Sequence, residues 1–171
     1  MDKVLVIGCA GSGKTRVARE LGRHLNAPVT HLDALYYDAD WNPLPMDDFA
    51  EAQRDVTSQP RWVIDGNYNS TLDLRLAACD AVVFLDLPAT ACLRGIFMRQ
   101  VCHGSGQRAT LGVYNRLTVD VVRYILSYRR RMRPRVLAKI TRHEAHIEVV
   151  RLTNRRAVRR WLTRLTGTPL P

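Results

Sequence analysis

The residues that could do chemistry are concentrated in one short stretch near the amino terminus. Gly8 to Thr15, with the sequence Gly-Cys-Ala-Gly-Ser-Gly-Lys-Thr, match the pattern Gly-x-x-x-x-Gly-Lys-[Ser/Thr] in full. Glycines let the main chain turn closely around a row of phosphates, and N–H groups at the start of the following helix point at the anion. Lys14 then reaches the outer phosphates and the Thr15 hydroxyl ligates Mg²⁺. The predicted phosphate-binding residues are Gly8, Cys9, Ala10, Gly11, Ser12, Gly13, Lys14 and Thr15.

A metal at such a loop needs a carboxylate beside it, and two aspartates qualify by position. Asp65 ends a predicted strand at 61–65 and Asp86 follows another at 81–85. Either could instead cap a turn. Asp65 is favoured because Asp-Gly-Asn-Tyr opens a loop at the site, whereas Asp86 leads straight into Pro88. Asp33 follows a third strand, where it could meet an acceptor hydroxyl or cap a helix or turn.

The elements that must position these residues alternate along the chain. Short apolar runs predict strands at 3–7, 28–32, 61–65, 81–85 and 147–152, with helices between them. This alternation predicts an α/β fold, a mostly parallel sheet with helices on both faces, whose ligands bind beyond the carboxyl ends of the strands. The 171 residues, without an evident linker, are predicted to form one domain over 1–171. The stretch 34–45 is predicted to be a loop, whose aromatic residues could form a substrate-side wall.

Charge is distributed unevenly between the two halves of the chain. Residues 1–88 hold eight Lys/Arg and thirteen Asp/Glu, a net charge of −5, whereas residues 89–171 hold eighteen and three, a net charge of +15. Arginines on a closing lid stabilise the charge of a phosphoryl group in transfer. The layout of helix, glycine loop and helix predicts such a lid over approximately 99–135; the alternative is a basic helical face with ordinary surface pairs. The lid candidates are Arg94, Arg99, Arg129, Arg130, Arg131, Arg133 and Arg135.

The remaining features bear on partners and compartment. Arg155, Arg156, Arg159 and Arg160 could lie along a nucleic-acid backbone or form a solvated surface. No apolar run is long enough to cross a membrane, and the start lacks the features of a signal peptide, so we expect a cytoplasmic protein. The four cysteines form no Cys-x-x-Cys pair and are expected to be buried and reduced. The histidines show no acid–base partner in the sequence and are expected to be solvated or packed.

Several segments together resemble a known group. The chain is similar to the DNA topology modulation proteins, adenylate-kinase-like P-loop proteins, over most of its length. The resemblance implies the nucleoside-monophosphate-kinase fold, with five parallel strands ordered 2-3-1-4-5 and a lid, and it implies that Asp65 is the magnesium-side carboxylate. The segments that carry it are Gly8–Thr15, His31-Leu-Asp33, Trp62-Val-Ile-Asp-Gly-Asn-Tyr68, Thr71-Leu-Asp-Leu-Arg75-Leu, Phe84-Leu-Asp-Leu-Pro88 and Tyr128-Arg-Arg-Arg-Met-Arg-Pro-Arg135.

The resemblance also assigns the two substrate sides of the site. The loop after the last strand lies near the base in similar kinases, which places Arg155 beside the adenine of ATP. In adenylate kinases Asp-Gly is followed by Phe-Pro-Arg, whose arginine holds the acceptor phosphate. Here Asn67-Tyr68-Asn69 stands in that place and the nearest cation is Arg75. We therefore expect Asp33, Tyr68 and Arg75 on the acceptor side, with the acceptor itself left open.

Two functions follow from these observations. The first is an ATP- and Mg²⁺-dependent phosphotransferase acting on a small nucleotide-like acceptor, with Lys14, Asp65, Arg94, Arg99, Arg129 and Arg133 as the catalytic residues. The second is a nucleic-acid-associated NTPase that uses ATP binding or hydrolysis as a switch. The acceptor and the oligomeric state are not specified by the sequence.

Overall fold

A five-stranded parallel sheet forms the centre of the molecule. The computed structural model describes residues 1–38, 40, 42–103, 106–108, 113–115 and 118–167. When the strands of this sheet are numbered by their order in the chain, their order across the sheet is 2-3-1-4-5, as predicted. The strands are β1 (Lys3–Gly8), β2 (Val29–His31), β3 (Trp62–Asp65), β4 (Ala81–Leu85) and β7 (Glu148–Leu152).

Helices cover both faces of this sheet. Side chains of successive strand residues point to opposite faces, so Leu5 and Ile7 pack with one set of helices, whereas Val4 and Val6 pack with the helices on the other face. The result is the predicted three-layer α/β architecture. The helices are α1 (Lys14–Leu25), α2 (Leu32–Tyr36), α3 (Met46–Ser58), α4 (Leu72–Ala78), α5 (Ala89–His103), α6 (Val119–Arg131), α7 (Arg133–His143) and α8 (Arg155–Thr166).

A third apolar cluster joins the phosphate-binding loop to helices α5 and α6. It contains Cys9 of the loop, Cys92 and Ile96 of α5, and the buried Ile125 and Tyr128 of α6. The carboxyl-terminal part of the predicted lid segment 99–135 therefore packs on the body of the protein. The lid over approximately 99–135 stays a prediction, and the connection between α5 and α6 is the part of it that lies outside this cluster.

That connection differs from the predicted glycine loop. Within it, β5 (Gly106–Arg108) pairs antiparallel with β6 (Val113–Asn115). Gly106 starts the first strand, while Gly104 and Ser105 lie outside the described residues. Strands as short as β5 and β6 could not be predicted, because three residues are too few to show an alternation of apolar and polar side chains.

The stretch 34–45 also differs from the predicted loop. Its first part belongs to α2, which Leu32 anchors in the core, and Tyr37 pairs with Pro43 in an isolated antiparallel bridge. The Tyr36 ring packs 4.8 Å from the Phe49 ring and 5.0 Å from the Tyr68 ring. Tyr36 and Tyr37, two of the three aromatic residues of the predicted loop, thus contact other residues of the protein. The third, Trp41, lies outside the described residues.

The cysteines and the lengths of the helices bear on two further expectations. All four cysteines are free, and three are buried as predicted, but Cys102 is exposed because it lies on the outer side of α5 near its end. Among the described residues, no helix has the length and apolar character that a membrane crossing requires.

Candidate functional site

The loop between β1 and α1 has the shape that phosphate binding requires. Gly11 has φ +76°, and a Cβ built on it would lie 2.1 Å from the carbonyl oxygen of Cys92, so only glycine fits. Gly13, with φ +96°, precedes the first turn of α1, whose N–H groups face the loop. The Nζ atom of Lys14 lies 3.3 Å from the carbonyl oxygen of Cys9 and thus stays over the loop. The loop therefore offers main-chain donors and one ammonium group to an anion.

Asp65 lies directly beside this loop. The Thr15 hydroxyl donates to Oδ2 of Asp65 across 2.8 Å. When its proton is donated in this way, the hydroxyl oxygen keeps lone pairs for a metal. A hydroxyl and a carboxylate are oxygen ligands of the kind Mg²⁺ takes from proteins while it keeps waters and binds phosphates. The pair fits Mg²⁺ on this ground, and both predicted metal ligands come together.

The same oxygen of Asp65 has a second partner that the sequence did not predict. Nδ1 of His31 lies 3.0 Å from Oδ2, contrary to the expectation that this histidine would have no acidic partner. His31 and Asp65 are opposite each other in the register of β2 and β3. The contact could have been predicted only from the strand order together with this register.

The Asp65–Tyr68 loop is tied to three elements. Oδ1 of Asn67 accepts a hydrogen bond from the Gly8 main-chain N–H across 3.0 Å, and its Nδ2 donates to the Tyr124 hydroxyl of α6 across 3.2 Å. The Tyr68 hydroxyl donates to Oδ1 of Asp33 across 2.8 Å. Burial, with the charge of Asp33, raises the pKa of Tyr68 well above its usual range, so its hydroxyl keeps the proton. Asp33 and Tyr68 thus lie together on the predicted acceptor side.

The prediction for Arg75 is wrong. Its side chain is 0% exposed, and its guanidinium donates to the main-chain carbonyls of Gly66, Asn67 and Tyr68 across 3.0, 2.8 and 2.9 Å. Burial lowers the pKa of Arg75 to about 9, which still leaves it charged near neutral pH. A cation held inside the protein in this way supports the loop and cannot contact an acceptor. Its position on the apolar face of α4, between Leu72 and Leu76, was the available signal.

The second magnesium candidate, Asp86, is occupied by arginines. Nε of Arg133 lies 2.8 Å from Oδ1, and Arg151 also binds this carboxylate, which is 1% exposed. Asp86 is therefore a structural ion-pair centre, and of the two predicted metal-side carboxylates only Asp65 lies against the Thr15 hydroxyl. The same contact corrects the prediction for Arg133: its guanidinium lies against Asp86 and serves the packing of α7.

Two of the remaining predicted arginines line cavities at the loop, and one does not. Arg99 borders a cavity of about 370 Å³ with Lys14 and Thr15. Burial lowers the pKa of Arg99, and the nearby charges of Asp33 and Asp65 oppose that effect. Arg94 borders the neighbouring cavity described next. Arg129 is exposed near the end of α6 and lines neither cavity.

A larger cavity of about 540 Å³ adjoins the loop between α1, α5 and α8. Its apolar part includes Met98, Val158 and Leu162, and its size and mixed lining suit a nucleoside. Arg155 closes one side, because its NH2 group donates to the carbonyls of Gly11 and Ala91, each across 3.0 Å. Arg155 thus lies beside the loop, on the nucleoside side that the resemblance implied.

Gly95 is a further site residue that sequence reasoning missed. A Cβ on Gly95 would lie 2.1 Å from the carbonyl oxygen of Gly11. Helix α5 therefore approaches the loop as closely as its backbone allows. A glycine within a predicted helix was the signal, because it costs helix stability unless close packing requires it.

Comparisons with known proteins identify the fold. No protein-family model and no curated protein matches the sequence. Among solved structures, a shikimate kinase from Bacteroides thetaiotaomicron matches with a TM-score of 0.53 at 17% identity over 96% of each chain. A shikimate kinase from Acinetobacter baumannii in complex with shikimate matches with a TM-score of 0.55 at 17% identity, over 96% of this chain and 90% of that one. A gluconokinase from Sinorhizobium meliloti matches with a TM-score of 0.52 at 17% identity, over 97% and 94%. The chain therefore has the fold of small-molecule P-loop kinases.

Proposed function

We propose that this chain is an ATP- and Mg²⁺-dependent phosphotransferase that moves the γ-phosphoryl group to a hydroxyl of a small, nucleotide-like acceptor. The observation that carries the proposal is the 2.8 Å contact between the Thr15 hydroxyl and Asp65 beneath a complete phosphate-binding loop. Loop, hydroxyl and carboxylate are the parts that P-loop NTPases use to hold a metal–nucleotide complex. The fold shared with shikimate kinase and gluconokinase supports a small acceptor.

Each residue has a role that follows from its position. The loop amides and Lys14 bind the donor phosphates, and Thr15 and Asp65 would hold Mg²⁺, which neutralises charge on those phosphates when bound. Arg99 faces the cavity beside Lys14 and stabilises the charge of the group in transfer. A bond forms between the acceptor oxygen and the γ-phosphorus while the β–γ bridging bond breaks. The carboxylate of Asp33 takes the proton of the acceptor hydroxyl.

The acceptor side has a distinct chemistry. Asp33 is exposed, and the ring of Tyr68 beside it belongs to a cluster with Tyr36 and Phe49. The partly exposed rings of Tyr36 and Tyr68 can pack against a nucleobase or a sugar, while Phe49 is buried beneath them and the carboxylate accepts from a hydroxyl. Because Arg75 is buried, it supplies no charge to an acceptor phosphate, and this difference from adenylate kinases argues against AMP.

The proposal is tested by ADP release in a coupled assay across a panel of acceptors. The panel contains nucleoside monophosphates, nucleosides, shikimate, gluconate and simple sugars, each measured against the basal ATPase rate. We expect at least one acceptor to raise turnover in the wild type and none to do so in Lys14→Ala. If no acceptor raises turnover, the kinase proposal fails even if nucleotide binding is observed.

A second candidate function has its own observation. Helix α8 presents exposed arginines without a carboxylate partner among the described residues, which suits a nucleic-acid backbone. We propose, as this alternative, a nucleic-acid-associated NTPase of the DNA topology modulation type. A DNA titration at two salt concentrations separates the two functions: submicromolar binding at physiological salt, with ATPase stimulated by DNA, favours the alternative. The arginines are Arg155, Arg156, Arg159, Arg160 and Arg164.

Either function suits a cytoplasmic protein. Cys9, Cys79 and Cys92 are free and buried, as thiols in a reducing compartment are. ATP and Mg²⁺ are both abundant there. We therefore keep the cytoplasm as the proposed location.

A further inference from the structure

The contact between His31 and Asp65 is built into the sheet. The two residues are register partners on neighbouring parallel strands, so their side chains leave the sheet edge side by side about 4.8 Å apart. Nδ1 of His31 lies 3.0 Å from Oδ2 of Asp65, and their side chains are 15% and 6% exposed. A contact so shielded from water holds its geometry better than a surface pair does.

The hydrogen bonds of Asp65 are concentrated on one oxygen. Oδ2 accepts from the Thr15 hydroxyl and from His31, whereas Oδ1 has no hydrogen-bond partner among the described residues. An ionised carboxylate only accepts hydrogen bonds, so the imidazole carries its proton on Nδ1 in this contact. Two donors from different elements fix the plane of the carboxylate and leave Oδ1 for a metal or its water.

Resting on the proposed function, we propose that His31 is a positioning residue for the metal-binding carboxylate. His31 does not touch the nucleotide in this role; it restricts the rotation of Asp65 so that Oδ1 is held ready for Mg²⁺. Carboxylates that bind metals are commonly fixed by outer hydrogen bonds, whose loss lowers metal affinity roughly 10–100-fold. The effect of His31 therefore appears in the metal-dependent part of nucleotide binding.

A role of His31 at the acceptor can be distinguished from a role at the metal. Asp33 lies two residues further along the chain and bonds Tyr68 on the acceptor side. If His31 acted on the acceptor instead, its removal would change the acceptor KM and leave the magnesium dependence unchanged. The two roles therefore differ in which ligand the substitution affects.

The experiment compares three variants by calorimetry with ADP, in the presence and absence of Mg²⁺ and without any acceptor. His31→Leu removes the donor, and His31→Asn returns an N–H group near the position of Nδ1. His146→Leu is the matched control, because His146 bonds the Leu76 carbonyl in the body of the protein, away from the loop. Thermal unfolding of each variant shows how much stability is lost independently of nucleotide.

We expect His31→Leu to weaken Mg-ADP binding about 10-fold or more while metal-free ADP binding changes by less than about twofold. His31→Asn should recover most of the loss, and His146→Leu should lower stability without changing the magnesium dependence. An equal loss with and without Mg²⁺, or no loss at all in His31→Leu, would overturn this inference and leave the proposed function intact. A wild-type chain that binds no nucleotide would overturn both.

Discussion

Arg151 on β7 donates two hydrogen bonds to Asp86 at the end of β4, from Nε across 2.9 Å and from NH2 across 2.6 Å. β4 and β7 are neighbours in the sheet, and Arg133 reaches the same carboxylate from the start of α7. One buried carboxylate thus joins the outer strand, its neighbour and a helix. This arrangement distinguishes the two aspartates at the carboxyl edge: Asp86 is held by two arginines, whereas Asp65 contacts Thr15 of the phosphate-binding loop and His31.

Replacing Asp86 is therefore expected to cost stability. Asp86→Ala leaves two guanidinium groups without their acceptor, and since both arginines are partly exposed we expect a loss of about 2 kcal/mol in the free energy of unfolding. The measurement is urea unfolding of the purified chain. Asp120→Ala is the control, because its pair with Arg123 is exposed at 3.7 Å and its loss should cost below about 0.5 kcal/mol. Equal losses in the two variants would contradict a structural role for Asp86.

Lys14→Ala is expected to weaken nucleotide binding strongly and to keep the fold. Within the described part of the chain, the Nζ atom of Lys14 has one hydrogen-bond partner, the carbonyl of Cys9, so little stability depends on it. Charge-assisted hydrogen bonds to phosphates are worth about 1.5–3 kcal/mol, or roughly 10–100-fold in affinity. Calorimetry with ADP measures the loss. Lys139→Ala, which removes an ion pair with Asp73, should affect stability and leave ADP affinity unchanged; unchanged affinity in Lys14→Ala would show that the loop is not the site.

Sequence reasoning predicted the features that local patterns determine. Strands at 61–65 and 81–85 are apolar runs bounded by turn residues, and β3 and β4 lie at 62–65 and 81–85. The phosphate-binding loop is a contiguous motif, so its strand and helix could be predicted with it. The order of the strands came from a resemblance and is confirmed by the fold.

The residues that were missed or misassigned depend on contacts between distant parts of the chain. His31 meets Asp65 only because β2 and β3 are neighbours with a particular register. Arg75 was expected on the acceptor side, as the cation nearest to Asn67-Tyr68-Asn69. Its guanidinium instead donates to three main-chain carbonyls of the preceding loop, which make its burial tolerable. The register of two strands is not visible in the spacing of nearby residues, whereas the position of Arg75 between the buried Leu72 and Leu76 was a local signal that was not used.

Arg75 is expected to be among the most sensitive positions for stability. Arg75→Met keeps most of the buried volume but leaves the carbonyls of Gly66, Asn67 and Tyr68 without a donor, so we expect a loss of roughly 3 kcal/mol or more. Arg61→Met is the control, since its pair with Asp2 is about half exposed and should contribute below about 0.5 kcal/mol. Urea unfolding measures both. A stable Arg75→Met variant with a lost response to acceptor would restore a role at the acceptor site.

The contact between α4 and α7 is expected to depend on pH. Burial raises the pKa of Asp73, but the hydrogen bond and the charge of Lys139, 2.6 Å away, outweigh it and hold that pKa below its ordinary 3.8. A lowered folded-state pKa means that the stabilisation is present above the unfolded value and is lost as pH falls through the folded one. Asp73→Asn should thus reduce stability at pH 7 by less than about 1 kcal/mol, since Asp73 is 42% exposed. Urea unfolding from pH 7 to pH 2 should show the difference from wild type disappearing below about pH 4; a constant difference would rule out the ion pair as its cause.

The close approach of α5 to the phosphate-binding loop makes Gly95 a position where one methyl group should disturb nucleotide binding. An added Cβ would lie 2.1 Å from the Gly11 carbonyl oxygen and 2.6 Å from NH2 of Arg155, so either the helix or the loop must shift. We expect Gly95→Ala to cost about 1–3 kcal/mol in stability, as overpacking does, and to weaken ADP binding because the loop is displaced. Gly167→Ala serves as the control: its φ of +68° is strained with a side chain, yet no atom of the described residues lies within 4 Å of the added Cβ, so about 1 kcal/mol of stability should be lost with ADP affinity unchanged. Unfolding and calorimetry on both variants measure the two effects separately, and an unaltered ADP affinity in Gly95→Ala would show that the loop tolerates movement of α5.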